Sequence, residues 1–423
     1  MTSPHRPASH GIPRPRVWAP LHYPGFSTLF IGYSVSSLGN GMSAVAVAWL
    51  AIELAHGHGA GLLIGEAVAA YTLPGVLVAL GASRVLKRLD SRLIILVDAI
   101  FRAVPLVLIA GLTLTGTLSP ILYVSLLGCS SLFGLLGIAG DLAATTELLP
   151  SELHVAANSL NSVASFSASI GGPAVAGVLI ATVGPGFVFA IDASTYVLLA
   201  GAVLASRRYQ PPTPVVKSSS AGIRDGLRAL WSFPALGAIT LLCVIFYGLY
   251  GPVEVALPLY VSSVLHASAG VLGGYWTVFT LGATLGALGA TSIHRFGLWR
   301  MTIAAVAAWG VCLIPFGFIT SVVIGFVAMS VGGLVYGPFI PLKKTIIQRS
   351  APGELLTQVA AASGVFTVSA SPVGAALGGP LVAALGAQAT LAFSGLATVT
   401  TALVAVAVLL AYRRHSRQLG GRR

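Results

Sequence analysis

Long apolar runs separated by short polar joints fill most of this chain. Twelve of them approach or exceed the roughly 20 residues that a helix needs to cross the hydrocarbon core of a bilayer. They lie at 27–52, 62–82, 93–116, 120–143, 158–183, 186–206, 235–260, 268–292, 301–320, 321–342, 357–385 and 388–411. The pattern predicts an all-α membrane protein of twelve transmembrane helices, the narrowest division falling at Thr320 and Ser321. Residues 1–20 are rich in Pro, His and Arg and read as a disordered cytoplasmic tail with no cleavable signal peptide. The run after Phe26 is long enough to serve as an uncleaved insertion signal.

The polar joints carry a second pattern. Basic residues occupy the tail (Arg6, Arg14, Arg16), the 2–3 joint (Arg84, Lys87, Arg88, Arg92) and the central joint (Arg207, Arg208, Lys217, Arg224, Arg228). They recur at Arg295 and Arg300, at Lys343, Lys344 and Arg349, and at Arg413, Arg414, Arg417, Arg422 and Arg423. In a twelve-span arrangement these 22 of the 23 Lys and Arg residues fall on one side, and the last, Arg102, lies inside the third run. Basic joints stay in the cytoplasm, so both termini are expected there, in a multi-pass protein of the cell membrane.

Composition agrees. Charged residues make up 8% of the chain against 56% hydrophobic, where a soluble domain has about 25% charged. Too few charges exist to coat a water-soluble globule, so lipid is the expected solvent and partner. The net charge of +12 reports orientation rather than nucleic-acid binding, because the bases sit between apolar runs. Cys129, Cys243 and Cys312 all lie inside such runs and form neither a disulfide framework nor a metal-ligand spacing. No metal or cofactor is expected.

The longest polar interruption, 207–234, holds Pro211, Pro212, Pro214 and three consecutive serines. It reads as a cytoplasmic linker between six-helix halves at 21–206 and 235–412, with 413–423 as a basic tail. The halves repeat each other at one offset. Pro150-Ser151-Glu152-Leu153 returns as Pro352-Gly353-Glu354-Leu355, and Ser167-Ala168-Ser169 as Ser369-Ala370-Ser371. Gly172, Gly177, Ala181 and Gly184 return as Gly374, Gly379, Ala383 and Gly386. Duplicated halves of this kind predict a transporter with its site at their interface near mid-membrane.

With these features the chain resembles the major facilitator superfamily over residues 22–411, and within it the macrolide-efflux and enterobactin-exporter branch of drug/proton antiporters. The resemblance is carried by Phe26 and Ser36-Ser37-Leu38-Gly39-Asn40, by Asp98 with Arg102, and by Leu148 through Leu153 with Ala157-Asn158. Ile191-Asp192-Ala193, Gly251-Pro252 and Leu257-Pro258-Leu259-Tyr260 continue it. It implies alternating access, export of a hydrophobic or amphipathic small molecule such as a drug, antibiotic or siderophore-like metabolite, proton coupling and a monomeric state. It also makes Arg88, Arg92 and Arg295 basic residues of the gate loops, and Gly172-Pro173 with Gly177 an antiporter-like motif. The chain departs from the superfamily pattern at Ser83, Lys87 and Asp90, which stand at the Gly, acid and Gly positions of the 2–3 motif, so Lys87 replaces the acid that usually helps latch the cytoplasmic gate. Asp141 stands where the branch often has a base, which reverses the local electrostatics.

A proton carrier needs an acid inside the membrane, and intramembrane charges are functional candidates by default. The runs hold Glu66, Asp98, Arg102, Asp141, Asp192 and Glu254. Asp98 and Arg102 are four residues apart and share a helix face, which reads first as a fixed ion pair. Asp141 lies close enough to the cytoplasmic end to be solvated, and Asp192 suits a helix-end role. Glu254 is flanked by Pro252 and Pro258, which predicts a broken segment lining a cavity, with Tyr250 one turn away as a hydrogen-bond donor. Glu254 is the leading proton-coupling candidate, followed by Glu66, with Tyr71 and Pro74 after it, and Asp192. Ser36, Ser37 and Asn40 form a polar stripe that either lines the cavity or bonds between helices. The glycines of the fifth and eleventh runs are expected to permit close helix contact.

Three other functions fit the composition: a metabolite importer on the same fold, a membrane-embedded enzyme, and a non-transporting receptor. The enzyme reading would need Glu254, His154 and Asp141 to act together, and no nucleophile–base spacing supports it.

Overall fold

The computed structural model describes residues 17–55, 59–81, 90–209, 223–293 and 296–420. Twelve helices among these residues are long and apolar enough to span a membrane. They are α1 (Pro24–Leu54), α2 (Ala60–Ala79), α3 (Ser91–Leu114), α4 (Pro120–Leu148), α5 (Ser151–Val183) and α6 (Pro185–Ser206). The second set is α7 (Pro234–Val264), α8 (Ala269–Ala290), α9 (Leu298–Gly317), α10 (Val322–Ser350), α11 (Gln358–Leu385) and α12 (Ala387–Ala411). Lipid offers backbone groups no partners, so each crossing must bond internally as a helix.

Several boundaries move outward from those expected. α4 continues past 143 to Leu148, and α10 runs past 342, so Lys343, Lys344 and Arg349 extend its last turns rather than a loop. Ser321 caps α10 by accepting from the Ile324 amide at 3.4 Å, which settles the division near Thr320. Of the expected tail 1–20, residues 17–20 are described, and Ala19–His22 forms a 3-10 turn. In the linker, Ile223–Ser232 is a short helix packed against α11. The helical backbone that begins α12 runs on to Gly420.

The two sets of six pack alike. α1 lies against α5 and α6, and α7 lies against α11 and α12. The sequence repeat is also a structural one. Ser151–Leu153 and Gly353–Leu355 are both single 3-10 turns. Gly184 and Gly386 end α5 and α11 at φ +88° and +82°, a conformation that strains any residue with a Cβ.

Arg92 is buried at the start of α3. Its guanidinium donates to the Ser206 carbonyl and to the Tyr209 carbonyl, both at 2.9 Å. It therefore closes the C-terminal end of α6 instead of projecting from a gate loop. Ser91 beside it donates to Glu147 of α4 at 2.6 Å. Bonds from a charged donor contribute about 1.5–3 kcal/mol each. Arg92→Ala should therefore lower stability by about 3 kcal/mol, read as a drop in the unfolding midpoint of the detergent-purified protein. Arg92→Lys should recover part of it, since an ammonium lacks the planar fork. An unchanged midpoint in Arg92→Ala would remove the clamp. Arg88 and Arg295 lie outside the described residues.

Candidate functional site

Between the halves lies a cavity of about 660 Å³. Along α1 its wall runs from Leu29, near the end that carries the basic residues, to Ala48, roughly 28 Å at 1.5 Å per residue. At the opposite end the halves touch along two seams. In one, Gly177 of α5 lies against Ala269 and Gly270 of α8, and Gly273 lies against the Pro173 carbonyl. In the other, Gly379 of α11 lies against Gly61 and Leu62 of α2, and Gly65 against Ala375 and Gly379. Gly172 and Gly374 do something different. Gly172 presses on Gly41 and Met42 of α1, and Gly374 on Gly248 of α7, each inside its own half.

The first half contributes a polar wall. Ser36, Ser37 and Asn40 of α1 line the cavity, so the stripe faces the site, while the Ser36 hydroxyl also bonds the Tyr33 carbonyl at 3.0 Å. α2 is interrupted at Tyr71 and Thr72, between the helical segments Ala60–Ala70 and Leu73–Gly81. Pro74 cannot donate to the carbonyl four residues back, and Ser131 of α4 donates to that carbonyl, Ala70, at 2.8 Å. The break turns Tyr71 into the cavity, where its hydroxyl donates to Asn40 Oδ1 at 2.9 Å. Glu66, one turn earlier, is exposed, and the α2 residues of the wall are Val68, Tyr71 and Thr72.

Asp98 and Arg102 form the expected ion pair, Nε to Oδ1 at 3.1 Å. The guanidinium carbon sits 5.3 Å from the centre of the Tyr196 ring. Gly134 and Gly137 of α4 abut Arg102 and Asp98, and a Cβ at either would collide with the pair. Removing one partner of a buried pair leaves an uncompensated charge, at a cost of roughly 3–5 kcal/mol. Arg102→Ala should thus be poorly folded, and Asp98→Asn combined with Arg102→Gln should be markedly more stable than Arg102→Ala alone. A double variant no more stable than the single one would contradict the pairing.

Asp192 is fully buried in α6, behind the wall rather than in it. Ser43 of α1 donates to its carboxylate, as does Thr195 at 3.3 Å, and Gly39 leaves the space it fills. Asp141 of α4 lines the cavity, with Asn161 Nδ2 3.5 Å away.

The second half contributes an aromatic wall and one acid. Glu254 lines the cavity from α7 and accepts from the Ser371 hydroxyl of α11 at 2.8 Å. Tyr250, expected as the donor, instead packs on Trp276 and Trp309, with ring centres 6.3 and 6.0 Å away. The expected break in α7 is absent: the α-helix passes both prolines to Leu259, then widens to a π-turn over Tyr260–Val264. Ser371 and Trp276 were not singled out from the sequence. Ser371 was visible there as the last residue of the repeated Ser-Ala-Ser motif, whereas Trp276 had no signal to distinguish it.

The chain matches the family described as transmembrane secretion effectors over residues 16–354. It belongs to that family of the major facilitator superfamily. Multidrug efflux pump Tap of Mycolicibacterium fortuitum is 29% identical over 349 residues, which are 79% of this chain and 84% of that protein. Enterobactin exporter EntS of Citrobacter koseri is 26% identical over 292 residues, 67% of this chain and 68% of that protein. The crystal structure of nucleoside transporter NupG superposes with a TM-score of 0.70 over 90% of this chain and 99% of that one, at 14% identity. This major facilitator protein is therefore a multi-pass membrane transporter of a small molecule and not an enzyme.

Proposed function

We propose that the transporter is a proton-coupled exporter of a hydrophobic or amphipathic small molecule, working as a monomer by alternating access with both termini in the cytoplasm. The observation that carries the reading is Glu254. Its carboxyl faces the shared cavity and is held by Ser371 of α11, and α11 also forms one of the two seams that close the opposite end. An acid placed so can bind a proton when the cavity faces outward and release it when the cavity faces the cytoplasm. The half-to-half seams of small residues can part and re-form without side chains to disengage. The names of the relatives, an efflux pump and an exporter, support the outward direction. Asp192, enclosed by Ser43 and Thr195, and Glu66, outside the cavity wall, are the second and third candidates for coupling.

Purified protein in proteoliposomes tests the reading through substrate-dependent proton movement. Protons and substrate moving in opposite directions is the expected result. Movement in the same direction would make the protein an importer, and no proton movement with any transported substrate would end the coupling proposal.

The orientation follows from the basic end being cytoplasmic. Reporter fusions at His58, Ser119, Gly186 and Ala267 should give outer signals, and those at Arg88, Ser219 and Arg414 inner ones. An outer signal from Ser219 would overturn the six-plus-six division.

A further inference from the structure

We propose that the cavity takes an organic cation with an aromatic or otherwise apolar body, and that Asp141 and Glu254 recognise its charge. The inference rests on the exporter reading for the direction of transport alone; the ligand's charge is read from the wall.

Among the described residues the wall carries three carboxylates, Asp98, Asp141 and Glu254, against one guanidinium, Arg102, and no Lys or His. Arg102 is paired within the wall. Its Nε bonds Asp98 and its guanidinium carbon lies by the Tyr196 ring. That pair is neutral as a unit. Asp141 and Glu254 are left, one in each half, and each has only a neutral donor: Asn161 at 3.5 Å and Ser371 at 2.8 Å. Intramembrane carboxylates are costly to leave uncompensated and pair with an opposite charge where one is available. No protein cation bonds either of them among the described residues. A bound cation can do so, or a proton in its place.

A further observation points the same way. Tyr250 stands one turn before Glu254 and packs on Trp276, and both rings line the cavity. Aromatic faces attract cations, more strongly where water is excluded. The cavity's volume, about 660 Å³, falls in the range that encloses a drug-sized molecule. An anionic ligand would meet three carboxylates against the single guanidinium, which is already paired with Asp98. Because a proton and a cation satisfy the same carboxylate, loading one displaces the other, and exchange of the two follows from the wall's chemistry.

The test uses the full-length protein in detergent and two ions of the same shape, tetraphenylphosphonium and tetraphenylborate, with ethidium as a flatter second cation. Binding is measured by titration calorimetry. A cation should bind about tenfold or more tighter than the borate, and Glu254→Gln and Asp141→Asn should each weaken it about tenfold, a loss of about 1.4 kcal/mol. Glu254→Asp should retain most of the affinity, and unchanged unfolding midpoints show that the variants are folded. Borate binding as tightly as the cations, cation affinity indifferent to both substitutions, or no binding of either cation would overturn the proposal. The exporter reading fails separately. Carboxylate-dependent cation binding without proton-driven movement sinks that reading and leaves the charge class standing. Proton-driven export of an anion by a protein inert to both cations does the reverse.

Discussion

Glu254→Gln is expected to abolish proton-driven uphill transport while leaving downhill exchange measurable at high substrate concentration. Glutamine keeps the shape of the side chain and its bond from Ser371, but it can neither take nor give the transported proton. The variant is therefore held permanently in the electrostatic state of the protonated, substrate-free cavity, with weaker affinity for a cation and no way to recover it. Uphill rate should fall on the order of 100-fold, about 2.7 kcal/mol. Glu254→Asp retains an acid one methylene further from Ser371 and should keep partial activity with a shifted pH profile. The measurement is substrate movement in proteoliposomes with and without an imposed pH gradient. Uphill transport at the normal rate in Glu254→Gln would transfer the role to Asp192 or Glu66.

The helices and the repeat were legible because each is written in local pattern. Lipid allows no alternative to the helix, so twelve apolar runs became twelve spans, and Gly184 and Gly386 ended equivalent helices with the same positive φ. The partners of the polar residues were not legible, because they come from other helices. Ser371 is 117 residues from Glu254, and only the packing of α11 on α7 shows that it and not Tyr250 reaches the carboxyl. Proline alone did not mark the break. Pro252 and Pro258 pass within a continuous helix, whereas Pro74 coincides with an interruption because Ser131 of α4 satisfies the carbonyl it frees. Arg92 looked like a loop cation on sequence spacing, yet the end of α6 lies beside it and supplies two carbonyls. Glu66 and Glu254 looked alike in depth and flanking residues, and helix rotation separates them, one outside the wall and one in it.

Helix contacts that look equivalent in the sequence should likewise give different phenotypes. Gly172 and Gly177 belong to one motif, but a side chain at Gly172 would meet Gly41 within the first half, and one at Gly177 would meet Ala269 and Gly270 of the other half. Contacts within a half persist through alternating access, and contacts between halves must open and close. Overpacking typically costs 1–3 kcal/mol. In Gly172→Leu that cost of about 2 kcal/mol falls on every conformation and should appear as a lower unfolding midpoint. In Gly177→Leu it falls only on the conformation whose opposite end is sealed. A bias of about 2 kcal/mol shifts a two-state equilibrium roughly 30-fold, so the protein should stay folded, favour the state open at that end, and lose most of its transport. Gly379→Leu should behave like Gly177→Leu, and Gly374→Leu like Gly172→Leu, because the repeat places them at the equivalent seams. The separating measurement is a cysteine at Ser37 on the cavity wall, in a background lacking Cys129, Cys243 and Cys312, probed with a membrane-impermeant thiol reagent from the outer face. Labelling should rise in Gly177→Leu and Gly379→Leu and stay low in the other two. Equal labelling in all four would mean that the seams do not part during transport.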